Sequence, residues 1–261
     1  MSIFLSCCIC FFASIIGAIC GIGGGIIIKP VLDAFGIMSV DTISFLSGCT
    51  VLAMTTYSVI QSKISGSSAI ETRTGLPLAL GAALGGIAGK QIFSMLCSSI
   101  PDIDRVGAIQ AICLLVITAG TLVYTIRKDR ITALHVSHIG ACIVVGASLG
   151  ILSSFLGIGG GPINLVVLFY FFSMDTKTAA ENSLYIIFFS QAANLLFSLL
   201  TGSVPDFPLY MLVLMVICGI AGGAAGRSLN RRIQSETVDR LFIALMLVII
   251  IINIYNIYKF M

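Results

Sequence analysis

Gly21-Ile22-Gly23-Gly24-Gly25 and Gly157-Ile158-Gly159-Gly160-Gly161 interrupt two apolar stretches at a separation of 136 positions. A short apolar run follows each cluster, so each marks where one helix stops and a shorter one starts. Glycine admits positive φ and close backbone approach. A helix starting just after it offers unpaired N–H groups and a positive dipole end. Two such starts, at Gly24–Ile26 and Gly160–Ile163, meeting from opposite sides would hold a small anion. Gly23, Gly24, Gly25, Gly159, Gly160 and Gly161 are therefore candidate substrate contacts. A single cluster reads equally well as a place where helices pack closely. The matched pair points to a binding centre, because interrupted helices at corresponding places in two halves mark a transporter's site.

Polar residues at near-helical spacing run along the segments after the breaks: Ser44, Ser47, Thr55 and Ser58 in one, Ser183, Ser190, Gln191, Asn194 and Ser198 in the other. Thr55 aligns with Gln191, and Ser58 with Asn194. These four are candidate contacts to a permeant or its water; interhelical hydrogen bonding is their other use. Lys29 lies inside the first short run, where an ionisable residue is a functional candidate, at an insertion cost of about 2.5–3.5 kcal/mol. Asp33 one turn on could neutralise it, or its ammonium could snorkel to the interface. Its counterpart, Leu165, is apolar. Lys90 and Arg227 close matching helices and read as snorkelling residues, with a gate role second. Glu181 reads as a helix cap or a proton-coupling carboxylate. Pro162 suits the first turn of its helix, whereas Pro30 would bend its own.

Catalytic and metal-ligating constellations are absent from the sequence. No phosphate-cradling Gly-x-x-x-x-Gly-Lys-Ser/Thr and no His-Glu-x-x-His occurs, so no enzyme, no cofactor and no ATP-driven step is expected. His135 and His138 lack a third ligand and read as interface residues. The nine cysteines have no metal spacing and read as small packing residues. Charged residues are 10% of the chain against 58% hydrophobic, with a mean hydropathy of +1.11. A soluble domain carries about 25% charge. The chain therefore reads as an all-α polytopic membrane protein. Its net charge of +3 sits in short loops and gives nucleic-acid binding no support.

Spanning runs fall near 43–60, 74–96, 106–126, 178–201, 207–229 and 237–258. Residues 3–36 and 134–173 are longer, and the glycines split them into long arms (3–20, 134–156) and short ones (25–36, 162–173). A short arm reaches about 18 Å, little over half of a hydrocarbon core of about 30 Å. The first twenty residues lack a basic leader region and a small-residue cleavage site, and read as a retained helix. Residues 1–126 and 134–261 form two homologous repeats, each a glycine-broken helix and half-helix followed by three spanning helices, joined by a cytoplasmic connector at 127–133. Lys/Arg-rich loops face the cytoplasm. Arg127/Lys128/Arg130 and Arg227/Arg231/Arg232/Arg240 share that face only if 134–173 returns to its starting side as a hairpin. Each repeat then makes an odd number of net crossings, and the repeats are inverted. Both termini and the 97–105 loop, where Asp102 and Asp104 offset Arg105, fall outside. Thr178 to Glu181 fits a capping box, and Asp41 fits an N-cap.

The paired Gly-x-Gly-Gly-Gly breaks, the signatures Gly85-Gly86-x-x-Gly89-Lys90 and Gly222-Gly223-x-x-Gly226-Arg227, and the duplicated layout resemble the sulfite exporter TauE/SafE family of membrane permeases. The similarity covers essentially the whole chain. The first copy, Gly21 to Leu32, looks like the family signature including Pro30; the second departs, with Pro162 directly after the glycines and Val166 later. The resemblance implies a secondary transporter of small, often sulfur-containing or organic anions, in the bacterial inner membrane. Its partners would be a small anionic substrate, the lipid bilayer and a coupling H+ or Na+. A passive channel for a small solute is the alternative, since broken helices also line channels.

Overall fold

The glycine clusters do stop their helices. In the computed structural model, which describes residues 2–65, 69–100, 103–136 and 138–260, α1 (Ser2–Cys20) ends before the first cluster and α2 (Gly25–Phe35) starts on its last glycine. Likewise α6 (Ile139–Phe155) ends before the second cluster and α7 (Pro162–Phe172) starts after it, with Pro162 in the first turn. Gly21, Gly23, Gly157 and Gly159 take φ of 74°, 69°, 65° and 73°, a region that side-chain-bearing residues rarely enter. The remaining helices are α3 (Val40–Ile64), α4 (Thr72–Ser99), α5 (Ile103–Arg127), α8 (Thr176–Leu200), α9 (Leu209–Arg232) and α10 (Ser235–Phe260). A short 3-10 turn, Lys128–Arg130, continues from the end of α5. Every regular element among the described residues is helical.

α2 and α7 are 11 residues each, about 16 Å at 1.5 Å per residue. Among the described residues, seven helices are long and apolar enough to cross a membrane: α1, α3, α4, α5, α8, α9 and α10. α7 runs back to the segment that precedes α6. The Leu134 and Val136 amides, just before α6, donate to the carbonyls of Tyr170 and Phe171 at the end of α7, at 2.6 and 2.9 Å. The hairpin expected for 134–173 is thus present, although its first arm becomes helical only at Ile139. Leu134 and Val136 instead supply donors to carbonyls that the end of α7 leaves unpaired.

Two other local expectations are corrected. Asp175 caps α8, accepting from the Lys177 and Thr178 amides at 2.9 and 3.0 Å, so Glu181 is free of that duty. Burial alone would raise the Asp175 carboxyl, but these amides and the Thr178 hydroxyl hold it below the usual range. Ser39, not Asp41, occupies the N-cap position of α3. Asp102 lies outside the described residues.

Side-chain pairings set the helix directions. Positions where a Cβ on Gly81, Gly85 and Gly89 would meet α6 climb through Ile143, Ala147 and Ile151, so α4 and α6 run parallel. Gly222 and Gly226 climb likewise past Phe11 and Ile15, making α9 and α1 parallel. In α3 and α8 the order reverses: Gly48 faces Gln191, while Ser62 bonds Glu181. Those two helices are antiparallel and cross at the middle of the bundle. Lys128 Nζ meets Asp239 Oδ2 at 2.5 Å, and Thr176 Oγ1 donates to Asp239 Oδ1 at 3.0 Å. The end of α5 and the starts of α8 and α10 therefore share one face, here the connector face.

Candidate substrate path

Where α3 crosses α8, the two glycine clusters touch. A Cβ on Gly25 would collide with the carbonyl of Ile158, and Gly23 and Gly159 both press on the Val51 side chain. Gly160 lies against Ile187, the residue equivalent to Val51 in the second half. Val51, Ile187, Ala18, Met54 and Leu184 form one buried apolar cluster, so the two breaks meet across an apolar plug. Of the predicted glycines, Gly23, Gly25, Gly159 and Gly160 lie against Val51 or Ile187 of this plug, Gly24 lies against Ser14 and Ile28, and Gly161 against Ile158 and Ile26; none of the six lines either of the two polar cavities that flank the plug.

On the side of the plug away from the connector face lies a cavity with an empty volume of about 440 Å³, its open mouth included. Ser44, Lys90, Ser154, Gln191, Asn194 and Ser198 supply its polar lining, and Gly157 of the second break is part of its wall. Gln191 and Asn194, predicted from the sequence, are brought together here. Asn194 Nδ2 donates to Ser154 Oγ, while Asn194 Oδ1 is buried without a partner. Lys90 Nζ stands 5.3 Å from the centroid of the Phe93 ring, and no carboxylate among the described residues forms a salt bridge with it. Lys90 and Phe93 also line a wider vestibule reaching Asp41, Cys97, Ser98 and Val204. The cavity thus leads toward the face opposite the connector.

The connector side of the plug is built from equivalent positions but is shut. A small space of about 170 Å³ is lined by Ser58, Ser62, Glu181 and Arg227 among others. Arg227 Nη2 meets Glu181 Oε1 at 3.4 Å and Nη1 donates to the Ser58 carbonyl at 2.8 Å. Glu181 Oε2 accepts from Ser62 Oγ at 3.1 Å and from the Ala69 amide at 2.9 Å. Four segments (α3, the chain before α4, α8 and α9) are tied at this point.

The other predicted residues lie apart from the open cavity. Thr55 Oγ1 bonds the Val51 carbonyl at 2.8 Å and Ser58 Oγ the Met54 carbonyl at 2.9 Å, each within its own helix. Lys29 is 3% exposed and donates to Asp33 at 2.6 Å. It neither snorkels nor lines the cavity, and faces a smaller space with Gln110 and Asn253. Pro30 sits inside α2, where its carbonyl accepts from Asn256 at 2.9 Å. Sequence reasoning missed Lys90 and Ser154 as site residues. The signal for Ser154 was its place one turn before Gly157; Lys90 was visible through its match to Arg227 but carried a sufficient explanation in snorkelling.

The chain matches the family model described as "Sulfite exporter TauE/SafE" over residues 6–253. It is also similar to a "Probable membrane transporter protein YunE" of Bacillus subtilis (strain 168), at 27% identity over 118 residues, 45% of this chain. That match spans 41% of the relative's own length. No solved structure gives a significant match. Interrupted helices around a central crossing, long apolar spans and a family match over nearly the whole sequence lead to one assignment: the chain belongs to the sulfite exporter TauE/SafE family of membrane transporters.

Proposed function

We propose that this multi-pass membrane protein is a secondary carrier of a small anion, of the sulfite, sulfonate or short organic acid class, working by alternating access with a coupling H+ or Na+. One observation carries the reading: the Lys90 ammonium, without a carboxylate partner, stands in the wall of a polar cavity that ends on a helix break. A cation in a membrane protein normally finds a counter-charge. Here the counter-charge is the substrate. Lys90 supplies the charge, and the Gln191 and Asn194 amides and the Ser154 and Ser198 hydroxyls offer the hydrogen bonds an oxyanion accepts. The family's printed name, sulfite exporter, supports the same substrate class.

The repeats, taken as 1–126 and 134–261, are inverted in this reading, which the antiparallel crossing of α3 and α8 supports. The connector at 127–133 faces the cytoplasm because it and the α9–α10 corner carry the densest basic charge. The open cavity then faces outward while the Arg227–Glu181 tie closes the inner side. A carrier needs one side shut while the other is open. The apolar plug and the ion pair in series favour this over a passive pore.

Radiolabelled sulfite flux into proteoliposomes tests the role of Lys90. A hydrogen bond to a charged group contributes about 1.5–3 kcal/mol, or about 10- to 100-fold. Lys90→Gln is expected to raise the half-saturating sulfite concentration by that factor, and Lys90→Arg by far less. Unchanged half-saturation in Lys90→Gln overturns the assignment.

A further inference from the structure

Half of the residues lining the open cavity have a counterpart that lines the closed space, 136 or 137 positions away. Ser198 answers to Ser62 and Leu195 to Val59, and both members of each pair line their own cavity. Lys90 answers to Arg227, so both half-paths carry one cation at the same place in the fold. The correspondence breaks at Phe45, which lines the open cavity, and Glu181, which lines the closed one. The open cavity is lined by a cation and no acid, with Asp41 lining only the vestibule; the closed space is lined by a cation and an acid bound to it.

We infer that the closed half-path is a second anion site built around Arg227, and that the Glu181 carboxylate occupies it in place of the substrate. The inference rests on the anion-carrier reading and extends it to the connector side. Glu181 makes the contacts a small oxyanion would make there. One oxygen meets Arg227 at 3.4 Å; the other accepts from the Ser62 hydroxyl at 3.1 Å and from the Ala69 amide at 2.9 Å. Arg227 is 9% exposed and keeps a buried Nε with no partner, so its guanidinium has a donor to spare. When the connector side opens, Glu181 and the substrate compete for this guanidinium. A carried anion then leaves by exchange for the protein's own carboxylate, which restores the tie behind it. Phe45 cannot act this way, and no carboxylate lines the cavity at Lys90 to take the substrate's place.

Competition predicts one-sided effects. In inside-out vesicles, where the connector face meets the bath, Glu181→Gln is expected to lower half-saturating sulfite by about tenfold. In right-side-out vesicles the same variant leaves it within about twofold. Glutamine keeps an oxygen for Ser62 and Ala69, so the variant retains those bonds. Arg227→Gln is expected to abolish saturation at the connector face alone. A second readout needs no substrate: Val59→Cys, labelled from the connector face by an impermeant maleimide and located by peptide mass, is expected to react faster when combined with Glu181→Gln. Equal shifts at both faces, no shift at either, or unaltered labelling overturns the inference. If the wild-type carries no sulfite, the anion-carrier reading falls for sulfite and the labelling arm still decides this one. If Lys90→Gln is silent but Glu181→Gln acts at the connector face only, the reading of Lys90 falls and the second site stands.

Discussion

Three cations in this bundle have different fates, and the difference lies in what each can reach. Lys29 has Asp33 one turn on in α2, close enough for an ion pair at 2.6 Å with both residues buried. Arg227 reaches across to Glu181 on another helix. Lys90 stands over the Phe93 ring in the wall of the cavity and its vestibule, and forms no ion pair with the Asp41 carboxylate that shares the vestibule. Removing one member of a buried pair costs about 3–5 kcal/mol, whereas replacing both by apolar groups of similar volume is often neutral. Lys29→Met is therefore expected to destabilise the protein in detergent by about that amount, and Lys29→Met/Asp33→Leu to recover most of it. Thermal unfolding followed by size-exclusion chromatography checks both; a double variant as unstable as the single one would show that Lys29 has another duty. These fates explain what was legible in the sequence. The Lys29–Asp33 spacing of four can be read directly, and the Gln191–Asn194 stripe follows from helical period. That Lys90 faces a cavity cannot be read, because its counter-group is absent rather than present, and Phe45 opposite Glu181 has meaning only once the two half-paths are superposed.

Helices here approach through glycine rather than through large side chains. Gly85 and Gly89 of α4 lie against the Ala147 and Ile151 carbonyls of α6, while Gly222 and Gly226 of α9 lie against those of Phe11 and Ile15 of α1. The same contact is thus made twice, by equivalent glycines on equivalent partners. Without water to drive apolar association, membrane helices depend on such close approach. A side chain at either place must displace a neighbouring backbone. Gly85→Leu and Gly222→Leu are each expected to reduce the folded fraction recovered from membranes severalfold, as measured by the monodisperse peak on size-exclusion chromatography; normal recovery from either would contradict this packing. The Gly-Gly-x-x-Gly repeat was legible because its period is helical and its two copies match. The choice of partners, with α4 packing on α6 and α9 on α1, was not. A sequence repeat shows that two units are alike but not which faces meet.

At the scale of the whole molecule, two chemically similar half-paths flank one apolar plug, and one is open while the other is tied shut. The plug residues that touch the glycine breaks, Val51 and Ile187, are marked by the sequence pattern only as apolar. The broken segments themselves were fully legible, since three consecutive glycines inside an apolar run end one helix and let another begin. Which half would be open was not, because both halves are apolar alike and differ by a few polar side chains. The central claim is that a small anion passes by alternate opening of the two halves. It is tested most directly by counterflow in proteoliposomes holding the wild-type protein. Labelled sulfite entry is expected to saturate and to accelerate when unlabelled sulfite is loaded inside. A current proportional to voltage, with no saturation and no acceleration from the far side, would contradict the account.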